Sequence, residues 1–311
     1  MKIQLTRAII AIFAILLNIS PSYADEGKLK VVTSFSILGD MIKNVAGDDI
    51  ELRILVGANG DTHEYQPTTE DSKAISNADL IIINGLGFEP RIEKMIKSSG
   101  YKGKVIIASN HVKTIAPKDG EDHDHGHHDD AEAHDPHAWQ NAANGKIYTS
   151  NISEALIEAD PKNADIYRKN STAYLTKLDD LDNWVRFELL KVPSEKRKLI
   201  STHDAFAYFA KAYNVEFLSP LGLSTESQPS AKDIARLIDQ IRKQKITALF
   251  FENMSDQRII KQLEKDAGAK IGGTLYSDAL SLPEEPASTY IDMFKHNVSI
   301  LVSAMQQNPG K

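Results

Sequence analysis

Ten histidines and no cysteine limit what this 311-residue chain can do with a metal or a nucleophile. Without cysteine there is no thiolate nucleophile, disulfide framework, iron–sulfur ligation or cysteine-type zinc site. Imidazole and carboxylate remain, and four positions place them where a ligand would be met: His63, His137, His203 and Asp278. His63 closes the loop Gly57-Ala58-Asn59-Gly60-Asp61-Thr62. His137 stands in His134-Asp135-Pro136-His137-Ala138-Trp139, where Pro136 fixes the approach and Trp139 can wall a site. His203 directly follows the predicted strand Leu199-Ile200-Ser201-Thr202, and Asp278 follows Thr274-Leu275-Tyr276-Ser277, a predicted short strand. Taken singly, a loop histidine is commonly a solvated side chain and a loop aspartate serves a turn. Taken together, imidazole suits zinc and a carboxylate completes a tetrahedron, leaving no open position for a catalytic water.

The elements that must position these residues come twice. Residues 29–34 read as a strand, followed by an amphipathic helix over about 37–46 and a strand over 50–56. A Gly-rich loop, 57–61, leads through Glu64-Tyr65-Gln66-Pro67-Thr68 into a helix to about Asn77 and the apolar strand 80–84. The second half offers a strand at 199–202, a helix over about 205–213, a strand at 215–218 and a loop at 220–224. Glu226-Ser227-Gln228-Pro229-Ser230 then opens a helix to about Lys243, and 248–253 is another apolar strand. Both halves place Glu-x-Gln-Pro-Ser/Thr at the same point, which reads as internal duplication. The pentapeptide alone is also an ordinary helix-entry signal.

Strands alternating with helices predict an α/β fold of two lobes, each a mainly parallel sheet flanked by helices. Such sheets meet ligands beyond the carboxyl ends of their strands. Between the halves, Asp160 as N-cap and Pro161 at the first helical position start one long backbone helix. Ile166, Tyr174, Leu178, Leu181 and Val185 recur at helical spacing until Pro193. Roughly 30 residues at 1.5 Å each make a rod of about 45 Å, which would pack along both lobes and resist hinge opening. The expected division is a signal segment 1–24, an N-terminal lobe 25–159, the linking helix 160–192 and a C-terminal lobe 193–311.

Residues 1–24 resemble an export signal. Lys2 and Arg7 precede an unbroken apolar run, 8–17, and Pro21-Ser22-Tyr23-Ala24 places small residues where a signal peptidase reads. That run is short of the ~20 residues needed to span a bilayer. Removing Lys2 and Arg7 takes the net charge from −7 to −9, which opposes a nucleic-acid partner. With 41% hydrophobic and 25% charged residues the composition is that of a soluble globular chain. The absence of cysteine leaves no lipobox, so the expected location is the periplasm, without a lipid anchor.

Residues 118–133 read Lys-Asp-Gly-Glu-Asp-His-Asp-His-Gly-His-His-Asp-Asp-Ala-Glu-Ala. The segment has no apolar periodicity and is expected to lack fixed structure. His123, His125, His127 and His128 offer imidazoles among acidic side chains, hence several weak and interchangeable metal sites. A solvating acidic linker is the plainer alternative. Its end lies a few residues before His137, which favours a collecting or delivering role.

Asp61-Thr62-His63-Glu64-Tyr65-Gln66-Pro67 and Asp135-Pro136-His137-Ala138-Trp139 resemble the signature segments of the zinc/manganese solute-binding proteins of ABC transporters, the ZnuA/TroA-type, cluster A-I family. The likeness runs from about Lys30 to Gln306. It implies two α/β lobes bridged by one long helix, with metal held between them by His63, His137, His203 and Asp278. The third position varies in the family between His and Glu, and His203 resembles the zinc-type choice. The resemblance implies a Zn²⁺ receptor, Mn²⁺ being the lesser expectation, that serves an ABC permease. A periplasmic metal chaperone and a monomeric state are further expectations. Asp135 and Asp204 adjoin ligand positions and either orient a ring nitrogen or serve a turn and a helix cap. Glu252, at the end of a strand, is a spare acid near the cleft or, as the plainer and preferred expectation, part of a salt bridge between lobes. Two other functions compete. A zinc hydrolase is opposed by the lack of His-Glu-x-x-His and by a ligand set that fills four positions. A metal-binding adhesin or buffer is opposed by the missing lipobox.

Overall fold

The computed structural model describes residues 27–117, 134–226 and 228–309. The export signal and the segment 118–133, with His123, His125, His127 and His128, lie outside the described residues. The first lobe runs β1 (Leu29–Phe35), α1 (Ser36–Ala46), β2 (Ile50–Val56), α2 (Thr69–Ser76), β3 (Leu80–Ile83), α3 (Pro90–Ser98), β4 (Lys104–Ile107) and α4 (Ala142–Ala159). After α5 (Ala164–Leu190) the second lobe runs β5 (Lys198–Ile200), α6 (Ala207–Tyr213), β6 (Glu216–Leu218), α7 (Ala231–Gln244), β7 (Ala248–Glu252), α8 (Arg258–Ala267), β8 (Lys270–Leu275) and α9 (Tyr290–Gln307).

The strand orders are β2-β1-β3-β4 and β6-β5-β7-β8, the same path traced twice. Every pairing is parallel. Leu80 to Ile83 is buried throughout, as a strand covered on both faces must be. The repeated pentapeptides do matching work at the helix starts. Thr68 accepts from the Asp71 N–H and Ser230 from the Asp233 N–H, so these hydroxyls are the N-caps of α2 and α7. Pro67 and Pro229 therefore stand one residue before the cap, outside the helix.

α5 has 27 residues, hence a length of about 40 Å. It packs against α1 and α4 of the first lobe and against α6 and α9. Its buried stripe is Tyr167, Tyr174, Leu178, Leu181, Val185 and Leu189. Ile166, expected on that stripe, is 40% exposed. Eight residues before Tyr174, it falls roughly 80° off the face, whereas Tyr167 falls within about 20°. Asp160 does not cap α5 either. A 3-10 turn, Pro161–Asn163, comes first, and the Asp160 carboxylate accepts from the Asn163 amide and the Tyr167 hydroxyl.

Beyond β8 the chain crosses to the first lobe before entering α9. The Leu280 N–H donates to Ser36 Oγ at 2.9 Å, and the Leu280 carbonyl accepts from the Asn59 N–H at 2.8 Å. The Tyr290 N–H donates to the Asp40 carboxylate on α1 at 2.9 Å. Among the described residues no helix is long and apolar enough to cross a membrane.

Candidate metal centre

The four residues singled out from the sequence meet on the seam between the lobes. Each follows a strand end or lies in a loop, and each is fixed by its own local chemistry. His63 lies beyond β2, where Asp61 accepts from the backbone N–H groups of His63 and Glu64 and thereby folds the loop. Across the seam, Thr225 donates its hydroxyl to the other oxygen of Asp61 at 2.7 Å. His137 is held by Asp135, whose Oδ1 lies 2.8 Å from both its backbone N and its ring Nδ1. The next turn ties the first lobe to the second, because Trp139 Nε1 and Gln140 Nε2 both donate to the Ser277 carbonyl.

His203 follows β5, and its anchor is Glu252 at the end of β7. Glu252 Oε1 accepts from the Thr202 and His203 N–H groups at 2.8 and 2.9 Å. Its Oε2 lies 2.5 Å from His203 Nδ1 and accepts the Ser277 hydroxyl at 2.6 Å. One carboxylate thus fixes both His203 and the residue preceding Asp278. Asp135 and Glu252 each face a ring Nδ1, which leaves Nε2 of His137 and His203 directed at the seam.

There the donor atoms of His63, His137, His203 and Asp278 lie within 4.8 Å of one another, all four residues buried. His63 Nε2 and His203 Nε2 approach Asp278 Oδ2 at 3.3 and 3.1 Å, and His137 Nε2 approaches Oδ1 at 3.7 Å. None of these three nitrogens and neither Asp278 oxygen has a hydrogen-bond partner. A buried polar atom left unpaired costs about 1–3 kcal/mol, and one donor atom from each of the four residues, all within 4.8 Å of one another, fits a cation that would satisfy them. Burial by itself would raise the Asp278 carboxyl and lower the His203 imidazole. The charges of His203 and His137 outweigh burial at Asp278 and hold it well below the usual carboxylate range. Those of Glu252 and Asp278 outweigh it at His203, which is held well above the usual histidine value.

An aromatic wall closes the first-lobe side. Phe88 sets its ring centroid 5.0 Å from His63, 6.0 Å from His137 and 4.7 Å from Trp139. Trp139 walls the centre as expected. Asp135 both orients a ring nitrogen and shapes a turn. Glu252 departs from expectation: it bridges no lobes and holds His203 within its own lobe, because Thr202 and His203 lie directly beside the end of β7. Asp204 is not the ring partner of His203, since Nδ1 faces Glu252 and Nε2 faces Asp278; the Asp204 N–H donates to the Gly222 carbonyl. Phe88 and Ser277 are the site residues that sequence reasoning missed, an ordinary apolar side chain and a lone serine without a pattern to mark them.

Two parallel-sheet lobes joined by a long helix, with four buried ligand donors on their seam, define a receptor for a small cargo rather than an enzyme. Residues 31–304 match the family described as "Zinc-uptake complex component A periplasmic", and the chain belongs to that family, the metal-binding receptors of ABC transporters. It is 35% identical over 287 residues to the metal ABC transporter substrate-binding lipoprotein FimA of Streptococcus parasanguinis, with 91% of each chain covered. Its fold is similar to that of the periplasmic zinc-binding protein TroA from Treponema pallidum, with TM-score 0.83, 29% identity and coverage of 90% of this chain and 100% of that one. A Mn-bound periplasmic metal-binding protein from Candidatus Liberibacter asiaticus is similar with TM-score 0.78, 31% identity and the same coverages, 90% and 100%.

Proposed function

We propose that this receptor carries Zn²⁺, holding one ion through His63, His137, His203 and Asp278 and presenting it to its permease. The observation that supports the reading is the donor set: three imidazole nitrogens and one carboxylate, unpaired and buried at one point. Nitrogen-rich shells suit zinc, whereas manganese takes more oxygen. The relative from Treponema pallidum is called zinc-binding. Manganese is the second reading, favoured by the Mn-bound relative. The protein acts as a monomer, and a periplasmic chaperone is a candidate donor. The divisions at 25–159, 160–192 and 193–311 remain our assignment of lobes and linking helix.

A chain without cysteine has no site for N-terminal lipidation, so we place the mature protein free in the periplasm, unlike relatives named as lipoproteins. Radiolabelled palmitate recovered on the protein would overturn that placement. The segment 118–133 supplies weaker sites through His123, His125, His127 and His128. Elemental analysis of protein purified from its native compartment tests the cargo, manganese in place of zinc refuting it. His203→Ala tests the ligand set. It should weaken zinc binding at least tenfold, ~1.4 kcal/mol, and a folded variant with wild-type affinity in a chelator competition would reject the assignment.

A further inference from the structure

Each lobe buries one glutamate at the carboxyl ends of its strands, and the proposed function uses only one of them. Glu252 takes two backbone N–H groups and a serine hydroxyl. Glu89, 1% exposed, repeats the pattern in the first lobe. Its Oε1 accepts from Ser34 Oγ at 2.9 Å and from the Asn84 N–H at 2.6 Å, and its Oε2 accepts from the Gly85 N–H at 3.2 Å.

The turn that Glu89 closes is unusual. Gly85, Leu86 and Gly87 all have left-handed backbones, with φ of 81°, 56° and 77°. For leucine that conformation is disfavoured and persists only where the surroundings impose it. The N–H groups of Asn84 and Gly85, at the start of the turn, both donate to the Glu89 carboxyl. Two groups next to the metal centre hang on this turn. Phe88, directly before Glu89, packs its ring against His63 and His137. Asn84 donates its side-chain amide to the carbonyl of Pro136, the residue before His137, at 3.0 Å, and accepts the Tyr148 hydroxyl at 2.6 Å.

We propose that Glu89 is a positioning residue for metal binding, the first-lobe counterpart of Glu252: by closing the turn 84–89 it fixes the Phe88 wall and the Pro136 carbonyl, against which His63 and His137 present Nε2. The inference rests on the ligand set proposed above. Burial pushes the Glu89 carboxyl up to about 8, against the pull of its donors. It is therefore largely neutral at pH 7, and glutamine is the near-isosteric replacement.

The test measures zinc affinity by chelator competition and the visible absorption of the cobalt-loaded protein, which reports coordination geometry. Glu89→Ala should weaken zinc at least tenfold and alter the cobalt spectrum, while Glu89→Gln, which keeps one acceptor for Ser34 and the Asn84 N–H but turns an NH₂ toward the Gly85 N–H, should lose less affinity than Glu89→Ala. Leu263→Ala, in the apolar cluster of the second lobe away from the centre, controls for stability: it should lower the melting temperature and leave affinity alone. Wild-type affinity and spectrum in folded Glu89→Ala would overturn the proposal, as would a tenfold loss in Leu263→Ala. Should Glu89→Ala fail to fold, Asn84→Ala decides, since it cuts the link to Pro136; wild-type affinity and spectrum there overturn the proposal. His203→Ala is measured alongside. Its failure to weaken binding rejects the ligand set itself, whereas a loss in His203→Ala with none in Glu89→Ala rejects only the positioning role.

Discussion

Glu252→Gln is the sharpest perturbation of the metal centre, because it changes one atom and keeps the shape. Glutamine Oε1 can still accept from the Thr202 and His203 N–H groups, now held at 2.8 and 2.9 Å. The amide NH₂ then replaces Oε2, facing Ser277 Oγ and His203 Nδ1. Ser277 can turn its hydroxyl and accept. The imidazole cannot both keep its proton on Nδ1 and face another donor, so it moves the proton to Nε2, the atom that points at Asp278 at 3.1 Å. The lone pair needed by a metal is lost unless the ring or the amide rotates away. The exchange also removes one buried negative charge, which a bound dication would otherwise offset. Loss of a partner of this kind typically costs 10–100-fold in metal affinity, or about 1.4–2.8 kcal/mol. The same change lowers the His203 pKa by removing a raising charge, which eases proton competition and offsets a small part of the loss. Competition with a fluorescent chelator at pH 7.5 measures the affinity, and circular dichroism of the metal-free variant checks folding. A folded Glu252→Gln protein within twofold of wild type would refute the tautomer argument.

Three further outcomes follow from the same chemistry. The Glu89 carboxyl, raised from 4.5 to about 8, keeps its proton across a window in which the unfolded chain has lost it. Its contribution to stability is therefore full below pH 4.5 and lost as pH rises to about 8, with a slope of ~1.4 kcal/mol per unit; Glu89→Gln should flatten the decline in denaturant midpoint of the metal-free protein across that range, and an unchanged slope would refute the shift. An ion held by four residues that only folding brings together would favour the folded state, so saturating zinc should raise the melting temperature, by up to ~2.7 kcal/mol of stability at a hundredfold excess over Kd, and identical melting curves with zinc and with excess chelator would contradict a tight site. Deleting Gly120 to Ala131 removes none of the four proposed ligands, so titration should show the tight site kept and fewer weakly bound ions; unchanged stoichiometry would deny metal binding to that segment, and loss of the tight site would make it structural.

What could be read from the sequence was whatever repeats or alternates. The strand at 50–56 and the apolar strands near 80–84 and 248–253 need only local periodicity, and the two halves' shared element order predicts the shared strand order. His63, His203 and Asp278 were legible as polar residues beyond strand ends, but His137 follows no strand, and the four read as one ligand set only through the resemblance of 61–67 and 135–139 to the family's signature segments. The partners of those residues were not. Glu252 lies 49 positions from His203, and Pro136 lies 52 positions from Asn84, distances over which no local pattern carries information. Ile166 failed because a 3-10 turn and a one-residue phase difference decide which side chain faces inward. β4 gave little signal because this edge strand is four residues long and mostly exposed.

By chain position Asp278 belongs to the second lobe, yet the segment beyond it is moored to the first at Ser36, Asn59 and Asp40. A local opening on one side therefore leaves the carboxylate tethered from the other. Separating that segment from the first lobe would break those three hydrogen bonds besides the direct seam contacts from Thr225 to Asp61 and from Trp139 and Gln140 to the Ser277 carbonyl. The carboxylate of Asp278 thus stands on a stretch of chain that is covalently continuous with one lobe and hydrogen-bonded to the other.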